Sequence, residues 1–557
     1  MNYKNESIVS FIRQQVFDAI TKYITKYELP SVSISEENIN VDKTRNSKFG
    51  DFTTNVVMSL QLGNVNKIDA AKEIAQFIDP NSFAKIEVAG PGFLNFYLND
   101  LSKKLLLDAV YSTKDFGQLK KKKLWYNIEF VSANPTGLLH IGHARNGAYG
   151  DSLARILEAN GVKVDREYYI NDGGNQINKL ALSVLIRYLQ SFGNKVELPE
   201  DSYHAQEIVE TAALLKQKYK DKFIDVKFDA NQILDEKANK KIGDFSKKHL
   251  LEIIKEHLAM LNVEMDLWSP ESYIYKHDLI NAAFKKLSNY MYDAEGAKWL
   301  KTTQYGDDKD RVLIKSDGHY TYFTPDIAYH NIKLSRGYDK IFNIWGADHK
   351  SYVDRMSIAI QMLGFKKEQM HVCIMQMVQL TKNGQEFKMS KRTGNSFTTI
   401  DLINLIGKDA ARWYLVNQSL DSHITIDVEK AGKKNNENGL FYVQYAYVRI
   451  KQILNKVNGK PEKDISLLTH PLEQELINHM FFFMPTIENI GKTYEVHKMC
   501  LYLTNLAKLV HTYYEQVRIS DCKDEKLIGQ RLYLIECVAK IIKNGLELLG
   551  IDVAEKM

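Results

Sequence analysis

A pair of histidines placed where an extended run gives way to a helix constrains this chain more than any other feature. The extended reading begins near Lys123, ends through Val131 to Thr136 and is broken by Pro135 and Gly137. From Ala144 the apolar positions Tyr149, Leu153, Ile156 and Leu157 recur at helical spacing until Gly161 stops them. His140 and His143, within Asn134-Pro-Thr-Gly-Leu-Leu-His-Ile-Gly-His-Ala144, therefore fall at the entrance of a helix fed by a strand.

That position suits an anion. The first turn of a helix carries unpaired N–H groups and the positive end of the dipole, and histidine adds donors without a permanent charge. Gly142 removes the side chain between the two histidines, so a flat ring can lie on the backbone. A second segment, Lys388-Met389-Ser390-Lys391-Arg392, follows a turn at Thr381 to Gln385 and is closed by Gly394-Asn395. Cations on such a loop can meet the charge that builds on a departing pyrophosphate. Taken singly, the first motif could be a structural histidine pair and the second a solvated loop. Together, in this order, they describe an ATP site: His140, Gly142 and His143 on one side, Lys388, Met389, Ser390 and Lys391 on the other.

Around these motifs the chain divides in three. Residues 1–115 mix helix and strand, and Lys120 to Lys123 mark an exposed junction. A catalytic domain is expected over 124–400, with a second strand at Val162 to Ile170, a helical, charge-rich insertion at about 179–300, and strands again at Arg311 to Phe323, Ile341 to Trp345 and Val372 to Val378. Residues 401–557 read as helical throughout. The expected fold class is α/β: a Rossmann-like parallel sheet with an N-terminal α+β domain and an all-α C-terminal domain.

Bulk properties exclude more than they assign. The 557 residues carry 74 basic and 69 acidic side chains, a formal charge of +5 that permits nucleic-acid binding without requiring it. Cys373, Cys500, Cys522 and Cys537 show no ligand spacing, so no structural zinc is expected. No apolar run approaches a membrane span and the start lacks a signal-peptide core, so a cytoplasmic protein is expected.

The histidine and lysine segments resemble the two signatures of class I aminoacyl-tRNA synthetases. Ile128-Glu-Phe-Val-Ser-Ala-Asn-Pro-Thr-Gly137, Ile170-Asn-Asp-Gly-Gly-Asn-Gln-Ile177, Tyr322-Phe-Thr-Pro-Asp326, Ile344-Trp-Gly-Ala-Asp-His349, Asp409-Ala-Ala-Arg412 and Tyr442-Val-Gln-Tyr-Ala446 are similar to the arginyl-tRNA synthetase family over nearly the whole chain. Many arginyl enzymes lack the second lysine of the loop, whereas this chain keeps it as Lys391.

The resemblance implies activation of L-arginine with ATP, Mg²⁺ accompanying the nucleotide, and transfer of arginine to the terminal adenosine of tRNA(Arg). It places Asp326 at the guanidinium, Glu129 and Asn134 at the amino-acid end, Tyr322 beside them, and Asp348 or His349 at the edge of the pocket. For tRNA it implies Phe93 and Asn95 near the elbow, and Tyr442, Tyr445, Tyr514 and the terminal Met557 near the anticodon loop, where unstacked bases need aromatic platforms. A monomer is expected. Asp326 alone could be a helix N-cap. A small-molecule nucleotidyltransferase would not need the flanking domains, and a non-catalytic RNA-binding relative would not need both histidines and both lysines.

Overall fold

The computed structural model describes residues 3–29, 33–44, 46–387 and 397–554. Its centre is a five-stranded, all-parallel sheet. In chain order the strands are β1 (Trp125–Glu129), β2 (Lys163–Ile170), β3 (Leu267–Pro270), β4 (Lys340–Gly346) and β5 (Met370–Met375), and in space they lie β5-β4-β1-β2-β3. Ile128, Tyr168, Ile341 and Phe342 are fully buried, as a sheet covered on both faces requires. The strand order reverses between β1 and β4, and such a switch point leaves a crevice at the carboxyl ends of the strands.

Helix α1 (Ile141–Ala159) follows β1 and closes that crevice from one side. Buried Asn146 accepts the Val131 N–H at 2.9 Å and donates to the Ile344 carbonyl at 3.0 Å, so one side chain ties α1 to the ends of both β1 and β4. Val131 and Ser132, just after β1, both have positive φ (67° and 41°), a conformation a β-branched residue rarely adopts. This turn swings the chain away from the sheet and leaves room above β1.

The helical insertion is shorter than expected. Leu267–Pro270 is the edge strand of the central sheet, and Met291–Ala294, Ala297–Leu300 and Arg311–Ile314 form a separate antiparallel sheet. Four residues ending in proline carry no readable period, and proline is tolerated there because β3 is an edge. The C-terminal part is likewise not wholly helical, since Ile424–Asp427 pairs in parallel with Val378–Lys382. Among the described residues no helix is long and apolar enough to cross a membrane.

The N-terminal part carries a four-stranded antiparallel sheet and docks on the C-terminal helices rather than on the central sheet. Ser7 and Ser10 donate to Glu488 at 2.7 Å each, Tyr3 packs edge-on against Phe481, and Tyr533 donates to Asp108 at 2.7 Å. The helix Asp100–Ser112 thus belongs by packing to the C-terminal core.

Arg412 ties three parts of the chain together. Fully buried, it donates to Asp151 of α1 at 2.7 Å, to the Leu549 carbonyl at 2.7 Å and to the Leu261 carbonyl at 2.9 Å. Its guanidinium lies so close over Gly550 that an added Cβ would sit 2.4 Å from Nη2, at a φ of +68°. Gly550→Ala should therefore destabilise the protein by about 2 kcal/mol or more, through strain and loss of the charged hydrogen bonds. A thermal unfolding midpoint equal to the parent's would contradict this.

Candidate active site

The two histidines cap the helix they introduce. His140 is the N-cap of α1, its Nδ1 accepts the Gly142 N–H at 3.0 Å, and the His143 Nδ1 accepts the His140 N–H at 3.2 Å. Their rings stack with centroids 3.7 Å apart. Because both Nδ1 atoms accept, each ring carries its proton on Nε2. Burial lowers both pKa values, that of His143 to about 3 with His140 adding to the effect, so both are neutral donors at pH 7. The ring that needs Gly142 is the protein's own: a Cβ there would meet the His140 Cε1 at 2.8 Å.

Lys388, Met389, Ser390 and Lys391 lie outside the described residues, but both flanks of their segment reach this motif. The Ile141 N–H donates to the Phe397 carbonyl at 3.1 Å, the Thr399 N–H to the Leu139 carbonyl at 2.7 Å, and His140 pairs with Thr398. On the other flank, the ring of Phe387 lies 5.8 Å from that of Phe397. Residues separated by most of the catalytic domain in sequence thus start and end beside the histidines.

Across the crevice the structure gathers carboxylates. Asp326 stands in the first turn of helix α2 (Phe323–Ser335) rather than at its N-cap, which is Tyr322, and accepts the Tyr352 hydroxyl at 2.7 Å. Burial raises its pKa to about 7, and the charges of Glu129 and Glu271 push it the same way against the Tyr352 hydrogen bond. The Glu271 pKa is also raised, by burial first and then by Asp172. Glu129, at the end of β1, is held by fully buried Lys333 at 2.8 Å and by the Ser132 hydroxyl at 3.1 Å. The rings of Tyr169 and Tyr329 lie 4.5 Å apart, the Tyr169 hydroxyl beside Glu271 and the Tyr329 hydroxyl beside Glu167.

Three carboxylates with one lysine among them, paired to Glu129, leave an excess of negative charge at Asp326 and Glu271. A cation entering there would supply the counter-charge that offsets the burial, and the neighbouring carboxylates, that raise the Asp326 pKa.

Sequence reasoning named Asp326 and Glu129 here but missed Glu271, Tyr352, Tyr169 and Lys333. Glu271 follows β3, whose strand character was not readable, and Tyr352 lies one turn beyond the Trp-Gly-Ala-Asp-His motif. Asn134 is half-buried in the loop before α1. Tyr322 is 89% exposed at the N-cap of α2, and Asp348 is exposed and paired with His349 at 3.3 Å.

The remaining named residues belong to the flanking parts of the chain. Tyr445 and Tyr514 flank Arg449, whose guanidinium lies 4.4 Å from the Tyr445 ring and 4.6 Å from that of Tyr514, while the Tyr442 ring lies 4.5 Å from His511, which Arg449 meets at 3.2 Å. A groove of about 520 Å³ beside them is lined by Arg449, Gln452, Lys456, Tyr514 and Arg518. Met557 lies outside the described residues. In the N-terminal sheet Phe93 is half-buried, whereas Asn95 is 5% exposed and its Oδ1 accepts the Thr53 hydroxyl at 2.6 Å.

Comparison with known proteins supplies the context for this geometry. Residues 104–457 match the family described as tRNA synthetases class I (R), catalytic domain, residues 10–98 the arginyl tRNA synthetase N terminal domain, and residues 443–557 the DALR anticodon binding domain. Similar proteins include the arginine–tRNA ligase of Malacoplasma penetrans, 48% identical over 98% of each chain, and that of Bacillus licheniformis, 37% identical over 99% of each. A putative arginyl-tRNA synthetase structure from Campylobacter jejuni aligns with a TM-score of 0.76 at 34% identity, over 82% of this chain and 99% of that one. The Thermus thermophilus arginyl-tRNA synthetase shares the fold, with a TM-score of 0.76 at 20% identity over 98% of this chain and all of that one.

Proposed function

The chain belongs to the arginyl-tRNA synthetase family and is an aminoacyl-tRNA ligase that charges tRNA(Arg) with arginine, and from that premise we propose how its residues divide the work. Asp326 and Glu271 receive the guanidinium, whose planar fork of donors suits paired carboxylates, and Glu129 with Asn134 receives the α-ammonium. Tyr322 and Asp348 sit at the rim. The observation that carries this reading is the convergence of Asp326, Glu129 and Glu271 across the crevice from the capped histidine pair.

In the first step an arginine carboxylate oxygen attacks the α-phosphorus of ATP, and the bond to the bridging oxygen of pyrophosphate breaks. The Nε2–H groups of His140 and His143 donate to phosphate oxygens, and Lys388 and Lys391 meet the leaving pyrophosphate. Mg²⁺ would accompany the nucleotide on its phosphate oxygens. In the second step a hydroxyl of the terminal adenosine attacks the arginyl carbonyl and AMP leaves. Positioning and charge stabilisation carry both steps. The enzyme would act as a cytoplasmic monomer, which sedimentation at working concentration tests.

Recognition of tRNA would fall to the flanking domains. The Arg449 cluster with Tyr442, Tyr445, Tyr514 and Met557 would receive anticodon bases. Phe93 would meet the elbow, with Asn95 and Thr53 bracing the strand beneath it. Phe93→Ala should raise the KM for tRNA about tenfold with kcat little changed, as loss of one base–aromatic contact would. An unaltered tRNA KM would remove the elbow role.

The substrate assignment is tested by pyrophosphate exchange in the presence of tRNA with each amino acid in turn. Arginine should support exchange, while lysine fails for geometry and citrulline for charge. Exchange with another proteinogenic amino acid and none with arginine would overturn it.

A further inference from the structure

Beside the mouth of the arginine pocket lies a patch of aromatic rings that the roles above leave unused. Tyr275 is 48% and Tyr320 38% exposed. Their ring centroids lie 6.5 Å apart, and Phe284 stands edge-on to Tyr320 at 6.2 Å. The patch adjoins the pocket directly, because the Tyr275 hydroxyl donates to Glu271 at 3.3 Å. Tyr320 also lies two residues before Tyr322 at the rim.

The Tyr320 backbone is firmly held. It pairs with Ile314 at the end of a tight turn, in which the Lys315 N–H donates to the His319 carbonyl at 2.9 Å and the His319 N–H to Asp317 at 3.0 Å. The next residue, Thr321, is fixed by its N–H to the Leu313 carbonyl at 2.9 Å and by its hydroxyl to the Val312 carbonyl at 2.8 Å. Exposed rings on a braced backbone lose little freedom when something flat settles on them. A cluster of such rings on one face marks a binding surface more than scattered apolar side chains do.

We propose that Tyr320, with Tyr275 and Phe284 around it, is a stacking platform for the unpaired bases just before the terminal adenosine of tRNA. This rests on the aminoacylation reading. The terminal hydroxyl must reach the arginine carbonyl, so the single strand behind it has to pass over the mouth of this pocket. Bases there are unpaired and need a π-face, not a hydrogen-bond code, and tyrosine rings supply one. Tyr320 would act by binding and orienting the strand, without touching the reacting atoms.

The test compares full-length tRNA(Arg) with the same tRNA lacking its last three nucleotides. Tyr320→Ala should weaken binding of the full-length tRNA about tenfold, a shift typical of one lost base stack, and should leave binding of the shortened tRNA unchanged. Tyr320→Phe should keep the parent's affinity for both, and Phe284→Ala should show the same selectivity with a smaller loss. Equal weakening of both tRNAs by Tyr320→Ala, or no weakening of either, would overturn the platform. A parent enzyme that failed to charge tRNA(Arg) at all would instead refute the underlying function, so the two failures are distinguishable.

Discussion

Asp326→Asn should raise the KM for arginine by more than a hundredfold while changing the KM for ATP little. Removing one partner of a buried charge pair costs about 3–5 kcal/mol, because the guanidinium is left desolvated without its counter-charge. Asp326→Ala should cost more, since the amide can still accept one hydrogen bond. The parent enzyme carries a pH signature of the same residue. With the free carboxyl's pKa near 7 and a bound guanidinium lowering it, arginine must displace a proton below pH 7.

Its affinity should therefore fall up to about tenfold for each pH unit below 7 and level off above, and Asp326→Asn should flatten that profile. Calorimetry in buffers of different ionisation enthalpy should register proton release on binding at pH 6.5. Without ligand the sign reverses: a carboxyl raised above its unfolded value contributes stability that is complete below about pH 4 and is lost as pH rises through 7. A pH-independent arginine KM would leave Asp326 outside the pocket's chemistry.

Lys391→Ala should lower kcat for aminoacylation on the order of a hundredfold and leave the KM for arginine nearly unchanged. The lysine is expected to meet charge that develops on the departing pyrophosphate, and a contact made only in the transition state appears in kcat. In the proposed arrangement arginine binds on the far side of the crevice, against Asp326 and Glu271, so its ground-state affinity is expected to stay unchanged. Single-turnover measurement of adenylate formation would locate the loss in the first step. A variant with near-normal kcat would shift the role to Lys388.

What could be read from the sequence follows from where the information sits. The histidine pair was legible because a strand end, a glycine and a helix start lie within a few residues of one another. Asp326 was legible through its Tyr322-Phe-Thr-Pro-Asp326 setting, although its place inside the first turn of α2, not at the cap, depends on where the preceding Tyr320 turn releases the chain.

Glu271 and Tyr352 were not legible, since each lies outside the quoted motifs and reaches the pocket only through the side-by-side pairing of β3, β2, β1 and β4. Arg412 was visible as part of a motif, but its partners Asp151, Leu261 and Leu549 come from three distant segments that no local pattern connects. The inward setting of Asn95 reflects the register of the N-terminal sheet, where Thr53 stands opposite it.

The docking of the N-terminal part on the C-terminal helices has a consequence for synthesis. Asp108 and Tyr533 are separated by 425 residues, so the surface that the first domain needs is among the last made. At roughly 5–20 residues per second, the emerged domain waits on the order of twenty seconds to over a minute with that face uncovered. An exposed apolar face of this kind is a site for chaperone capture or premature association on the ribosome. Nascent chains stalled shortly before Tyr533 should therefore be more sensitive to protease between Asp100 and Ser112 than the released enzyme.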